Sequence, residues 1–220
     1  MCANFKPATQ AQLIQLGLPN ISFQYVEEVF PNIETPLLFK SAQGLEWRAV
    51  NFGLIPKWAE EKETVKFTYN ARNETLAEKR SFAEALQKFQ FGLIAVTEFY
   101  ESKYINGRPQ RWGVRRIDGQ AFFIGCLYEI SRLKNGEIIR SASMISLDAH
   151  EHEMMREFHE PRTDKRCVLV IPHDRMDEWL SLKTTEISSF IEGFPVAEFE
   201  CFYAPKPKHQ TDTLQISMFD

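Results

Sequence analysis

The sequence predicts one α+β domain, built on a curved, mainly antiparallel, barrel-like sheet with flanking helices. Three observations carry that prediction. Asn106-Gly107, Asp118-Gly119 and Asn135-Gly136 each offer the positive φ angles of a tight hairpin turn. The segments around them, QRWGVRRI (110–117), QAFFIGCLYEI (120–130) and EIIRSASMISL (137–147), read as strands of an antiparallel meander. Strands outnumber helical segments and do not alternate with them as βαβ units, which disfavours a parallel sheet.

The remaining elements follow along the chain. TPLLFKSAQGLEWRAVNFGL (35–54) reads as an earlier hairpin, with Trp47 and Ala49 alternating against Glu46 and Arg48. SFAEALQKF (81–89) reads as a helix, because Ser81 and Glu84 have capping-box spacing. DAHEHEMMREF (148–158) opens in a similar way with Asp148 and Glu151. Helices are also expected at HDRMDEWLSL (173–182) and TEISSFIEGF (185–194), the second ending near Gly193. APKPKHQTDTLQISMFD (204–220) mixes Pro, Lys and polar residues like a mobile tail. The expected division is a domain over 1–205 and a tail over 206–220.

A chain of 220 residues can bury a sizeable core. Its 44% hydrophobic and 25% charged residues are those of a soluble globular protein. No apolar window is long enough to span a bilayer, and the start does not read as a signal peptide. The four cysteines (Cys2, Cys126, Cys167, Cys201) form no CxxC pair, so no zinc site, other cofactor or disulfide framework is expected, and a reducing cytoplasm fits best. A net charge of -4 speaks against a strongly basic nucleic-acid binder but leaves room for a local basic groove.

Four stretches could carry chemistry. In MCANF, removal of Met1 would expose Cys2 as an N-terminal residue with both a thiol and an α-amine of low pKa, about 8. Such a pair condenses with an aldehyde to a thiazolidine; the plainer reading is an inert thiol. In YNARNET (69–75), extended chain would put Asn70, Arg72 and Glu74 on one face. Asn70 could orient a substrate and Arg72 could bind phosphate; the plainer reading is a polar loop. In TEFYES (97–102), Glu98 and Glu101 end a buried strand, where a carboxyl can serve as acid or base. In FHEPRTDKRCVLVIP (158–172), His159 precedes the cations Arg162, Lys165 and Arg166.

Together these pieces resemble the SRAP family, the SOS-response-associated peptidase or abasic-site processing proteins. MCANF matches the family's Met-Cys-Gly-Arg-Phe in part, GLIPKW its Gly-x-x-Pro-x-Trp, NARNET its Asn-Ala-Arg-x-Glu-Thr in full, and EFYES its Gly-Phe-Tyr-Glu-Trp in part. The resemblance implies a protein that recognises abasic sites in single-stranded DNA. Cys2 would capture the sugar aldehyde as a covalent crosslink, and the same thiol would release Met1. Asn70 would orient the Cys2 amine, and Glu101 and His159 would move protons, including in lyase or reversal steps. Trp58 would stack on a base, while Arg72, Arg166 and, as second choice, Arg162 would grip phosphates.

HDRM (173–176) resembles the family's His-Asp-Arg-Met-Pro but follows the strand CVLVIP instead of preceding it, so His159 and Arg166 are preferred. Asn4 stands where the family has a DNA-contacting arginine. Glu98 replaces a glycine and would repel phosphate unless it points away; Ser102 replaces a tryptophan. Alternatives are a thiol peptidase using Cys2 and His159, and a non-catalytic single-strand binding module. The tail's QISMF resembles a sliding-clamp docking peptide, in which Gln215 would hydrogen-bond and Met218 and Phe219 would fill an apolar pocket. A monomer is expected, cytoplasmic and nucleoid-associated when bound to DNA.

Overall fold

The computed structural model describes residues 2–62, 67–191 and 195–206. Among the described residues, eleven strands make one sheet. They are β1 (Phe5–Pro7), β2 (Glu34–Ser41), β3 (Gly44–Phe52), β4 (Asn70–Arg72), β5 (Phe91–Ile105), β6 (Arg108–Arg116), β7 (Phe122–Arg132), β8 (Ile138–Asp148), β9 (Arg166–Val168), β10 (Val170–Ile171) and β11 (Phe199–Tyr203). Among the described residues, three short α-helices flank them: α1 (Gln10–Gln15), α2 (Ala83–Gln87) and α3 (Met176–Leu180).

Five strands close into a barrel in the order β7-β8-β3-β2-β5, with β5 pairing back onto β7. Every contact of that ring is antiparallel except β3 with β8. A barrel this small is filled by its own side chains. Phe5 and Phe52 meet edge to face at 5.1 Å inside it, and Phe99 reaches Phe122 at 6.2 Å.

The turns at Asn106-Gly107 and Asn135-Gly136 close hairpins, with φ of 51° and 74° at the first pair and 88° at Gly136. The turn at Asp118-Gly119 does something else. β6 pairs with β5 at Glu98–Ile105 and β7 pairs with β5 at Phe91–Val96, both antiparallel and both opposite β1's side. The chain therefore runs back along β5 as one interrupted strand, and Gly119 sits in an excursion instead of a reversal. Arg116 grips the Asp118 carboxylate there at 2.6 Å.

The helix expected at 148–158 does not form. β8 runs to Asp148, and only a 3-10 turn at Met155–Glu157 follows. The His152 ring accepts the backbone N–H groups of Met154 and Met155, an alternative to helical pairing. Met155 and Phe158 are fully buried, so packing favours this conformation. Among the described residues of 185–194, only a 3-10 turn at Ser188–Phe190 forms, and 192–194, Gly193 among them, lie outside the described residues. No helix among the described residues is long and apolar enough to cross a membrane.

α3 docks over Gly125, where β7 lacks a side chain. Trp179 is fully buried and donates its indole N–H to the Gly92 carbonyl at 3.0 Å. A Cβ on Gly125 would stand 3.0 Å from its ring. Trp179→Ala is expected to lower stability by about 3–5 kcal/mol, read from a urea midpoint.

Candidate functional site

The antiparallel register of β1 on β5 sets Phe5 against Phe99, and Tyr100 donates its backbone N–H to the Asn4 carbonyl at 2.9 Å. This brings the N-terminal segment alongside Glu101. Cys2 is 1% exposed. Burial pushes its thiol up to about 12, with the nearby Glu101 carboxylate adding to the rise. The thiol is thus protonated at neutral pH.

Asn70 reaches the same place from β4. Its Nδ2 donates to the Cys2 carbonyl at 2.5 Å, while its Oδ1 is buried with no hydrogen-bond partner among the described residues. A buried acceptor of this kind suits an ammonium or hydroxyl donor. The face expected for Asn70, Arg72 and Glu74 is broken, because β4 ends at Arg72 and a 3-10 turn over Asn73–Thr75 redirects Glu74. Arg72 projects outward and pairs with Asp164 at 2.7 Å.

Glu101 is buried, and desolvation raises its carboxyl to about 7. His159 Nδ1 lies 3.4 Å from it. The opposite ring nitrogen, Nε2, stands 2.9 Å from the Arg166 carbonyl. A carbonyl only accepts, so Nε2 carries the proton and Nδ1 presents its lone pair to Glu101. Burial lowers the imidazole to about 4, so His159 is neutral near pH 7. A carboxyl raised to about 7 can act as acid or base near neutral pH, and the neutral imidazole beside it offers an acceptor.

His159 has a φ of 64°, a left-handed conformation that costs a side-chain-bearing residue about 1–3 kcal/mol. Its surroundings hold it there. Its N–H donates to Ser102 at 2.7 Å, and Lys165 Nζ donates to the carbonyls of Phe158, His159 and Glu160 at 2.6, 3.3 and 3.3 Å. Sequence reasoning saw Lys165 only as part of a basic cluster; nothing in its spacing marks it as the clasp of this loop.

The DNA-contact candidates fall in different places. Arg166 is 4% exposed, binds Glu74 bidentately at 3.0 and 2.9 Å and donates to the Ser146 carbonyl at 2.7 Å. It ties the turn after NAR to β8 and faces no solvent. Arg162 is exposed, with no ion pair among the described residues. Asn4 is buried: its Oδ1 accepts from Arg111 at 3.1 and 2.8 Å, and its Nδ2 donates to the Val29 carbonyl at 3.1 Å. Trp58 is 37% exposed, with the Arg80 guanidinium 4.5 Å over its ring. Glu98 lies on the other face of β5 from Glu101, bound by the Tyr100 hydroxyl and by Lys6 at 2.8 Å. It therefore does not crowd the Cys2 side. Gln215, Met218 and Phe219 lie outside the described residues. Among the described residues, no group of three or more His, Cys, Asp or Glu could hold a metal ion.

A family model described as SOS response associated peptidase (SRAP) matches residues 1–206. Among curated proteins, the abasic site processing protein YoqW of Bacillus subtilis is 26% identical over 159 residues, which is 70% of this chain and 66% of that protein. The abasic site processing protein YoaM of Bacillus subtilis is 28% identical over 139 residues, 62% of this chain and 57% of that protein. The chain thus spans less than two thirds of the length of these relatives. A crystal structure of a Bordetella bronchiseptica protein superposes with a TM-score of 0.87 at 22% identity, covering 92% of this chain and 99% of that one. One from Bacteroides thetaiotaomicron gives 0.77 at 19% identity, covering 93% of each. These likenesses show the fold.

The shifts of Glu101 and His159 make opposite contributions to stability against pH. The lowered imidazole binds a proton in the unfolded chain but not the folded one between about 4 and 6.5, so its contribution to stability rises with pH across that window. The raised carboxyl binds a proton in the folded chain alone between 4.5 and about 7, so its contribution falls as pH rises. Glu101→Gln removes the second effect. Its urea midpoint is expected to drop more steeply than wild type between pH 6.5 and 5.

Glu74→Ala should cost roughly 1–3 kcal/mol, because it leaves the buried Arg166 charge unpaired while Glu74 itself is partly solvated. Thermal unfolding reads this directly.

Proposed function

Because the chain belongs to the SOS response associated peptidase (SRAP) family, we propose that it processes abasic sites in single-stranded DNA, with Cys2 as the covalent nucleophile after Met1 is removed. The observation that carries this reading is the convergence of Cys2, Asn70, Glu101 and His159 from four separate segments of the chain. The names of the relatives point the same way.

The chemistry proposed runs in two stages. The Cys2 amine adds to the C1′ aldehyde of the ring-opened sugar, and loss of water gives an imine. The Cys2 thiol then adds to the imine carbon, its proton passes to nitrogen, and a thiazolidine ring closes. A protonated thiol suits this order, since the amine attacks first and the sulfur proton is needed last. Glu101 in its acid form donates to the departing hydroxyl. That proton leaves with the water, the Glu101 carboxylate regains one from the iminium nitrogen, and His159 Nδ1, 3.4 Å away, accepts a hydrogen bond from the restored acid. Asn70, anchored on the Cys2 carbonyl, fixes the direction of the amine and leaves Oδ1 to accept from it.

The same thiol accounts for removal of Met1. Attack on the Met1 carbonyl would form a thioester and free the Cys2 amine, and water would then hydrolyse the thioester.

A single-stranded oligonucleotide with one abasic site tests the proposal. The wild type is expected to give an adduct that survives denaturing electrophoresis, and Cys2→Ala to give none. Asn70→Ala should slow adduct formation by roughly 10- to 100-fold, as a misaligned nucleophile does. Intact mass must show loss of Met1. Retained Met1, or equal adduct from Cys2→Ala, overturns the reading.

A further inference from the structure

Strand alternation carries the face of β5 that holds Glu101 outward to Lys103. Across the sheet, Glu101 pairs with Trp112 on β6, and Trp112 pairs with Tyr203 on β11. A carboxyl, an indole and a phenol thus form one row, with Lys103 a step beyond the carboxyl.

Three features of this rim lack an internal purpose. The Lys103 ammonium sits 5.2 Å from the Trp112 ring centroid and 5.9 Å from that of Phe158, and it has no carboxylate partner among the described residues. Most cations nearby are paired: Lys6 with Glu98, Arg111 with Glu28, Arg115 with Glu200. The Trp112 indole N–H is buried with no hydrogen-bond partner among the described residues. Tyr203 is 57% exposed, its ring 6.1 Å from Trp112 and tilted by 59°. An ammonium without a carboxylate partner calls for an anion, and an exposed ring calls for a flat apolar group.

We propose that Lys103, Trp112 and Tyr203 form a nucleotide subsite beside Glu101, in which Lys103 binds the phosphodiester next to the abasic sugar and Tyr203 stacks on the adjoining base. The inference rests on the abasic-site reading above. The aromatic faces hold the ammonium in place without spending its N–H donors, so those donors remain for phosphate. The backbone beneath is rigid, because Lys103 bridges to Phe158 and Ser102 accepts the His159 N–H. The subsite would therefore keep a fixed distance from Glu101 and His159. Stacking on Tyr203 would tolerate any base.

The test uses a single strand carrying a tetrahydrofuran abasic analogue, which has no aldehyde and cannot be trapped. Binding is followed by fluorescence anisotropy across a salt series. Lys103→Met keeps a stem between the two rings and is expected to reduce the slope of log K against log salt by about 0.7, the loss of one phosphate contact. Lys103→Arg should retain the slope. Tyr203→Ala is expected to weaken binding at least about fivefold, and Tyr203→Phe to leave it unchanged. With an aldehyde-bearing strand, Lys103→Met should reach the wild-type maximal crosslinking rate but need more DNA to do so. Wild-type slope and affinity in both Lys103→Met and Tyr203→Ala overturn the subsite. A wild type that neither binds nor crosslinks overturns the parent reading instead.

Discussion

Three residues of β1 paired antiparallel with β5 place the N-terminus, and the rest of the site depends on that pairing. A chain end is ordinarily the least ordered part of a domain. Here Phe5 is fully buried against Phe52, and Asn4 is held by Tyr100, Val29 and Arg111. Asn70 then closes on the Cys2 carbonyl. Cys2, near the start of the chain, becomes as well positioned as a residue inside a strand.

Burial of that end has an electrostatic consequence. Removing water acts on Glu101 and His159 alike, but it disfavours the charged form of each. It therefore raises the acid and lowers the base. Their values cross, leaving a neutral imidazole beside a carboxyl that is divided between its acid and carboxylate forms near neutral pH. The left-handed His159 is the local cost of aiming Nδ1 at Glu101, and the Lys165 clasp over three carbonyls offsets it.

The wall of this site was partly legible in the chain. Asn-Gly turns marked two hairpins, and TEFYES (97–102) marked a buried strand, now seen as part of β5. The turn at Asp118-Gly119 misled because a glycine turn signals positive φ, not the direction of the chain beyond it. Only β5, long enough to pair with β6 and then β7, decided that the chain continues. The segment 148–158 misled in a similar way. Its capping pattern is local, whereas burial of Met155 and Phe158 is not.

Residue types with distinctive chemistry were readable from sequence: a cysteine at position 2, an asparagine in NARNET, a glutamate ending an apolar strand and a histidine before another. Those properties belong to single residues and their spacing. Which cations face solvent was not readable. Arg166 and Arg162 are alike as letters, yet one is locked to Glu74 inside the fold and the other lies on an exposed loop. Asn4, Lys103 and Trp112 likewise take their roles from partners distant in the chain. Tertiary structure decided these because burial and pairing depend on which strands close the barrel, and no short stretch of sequence encodes that closure.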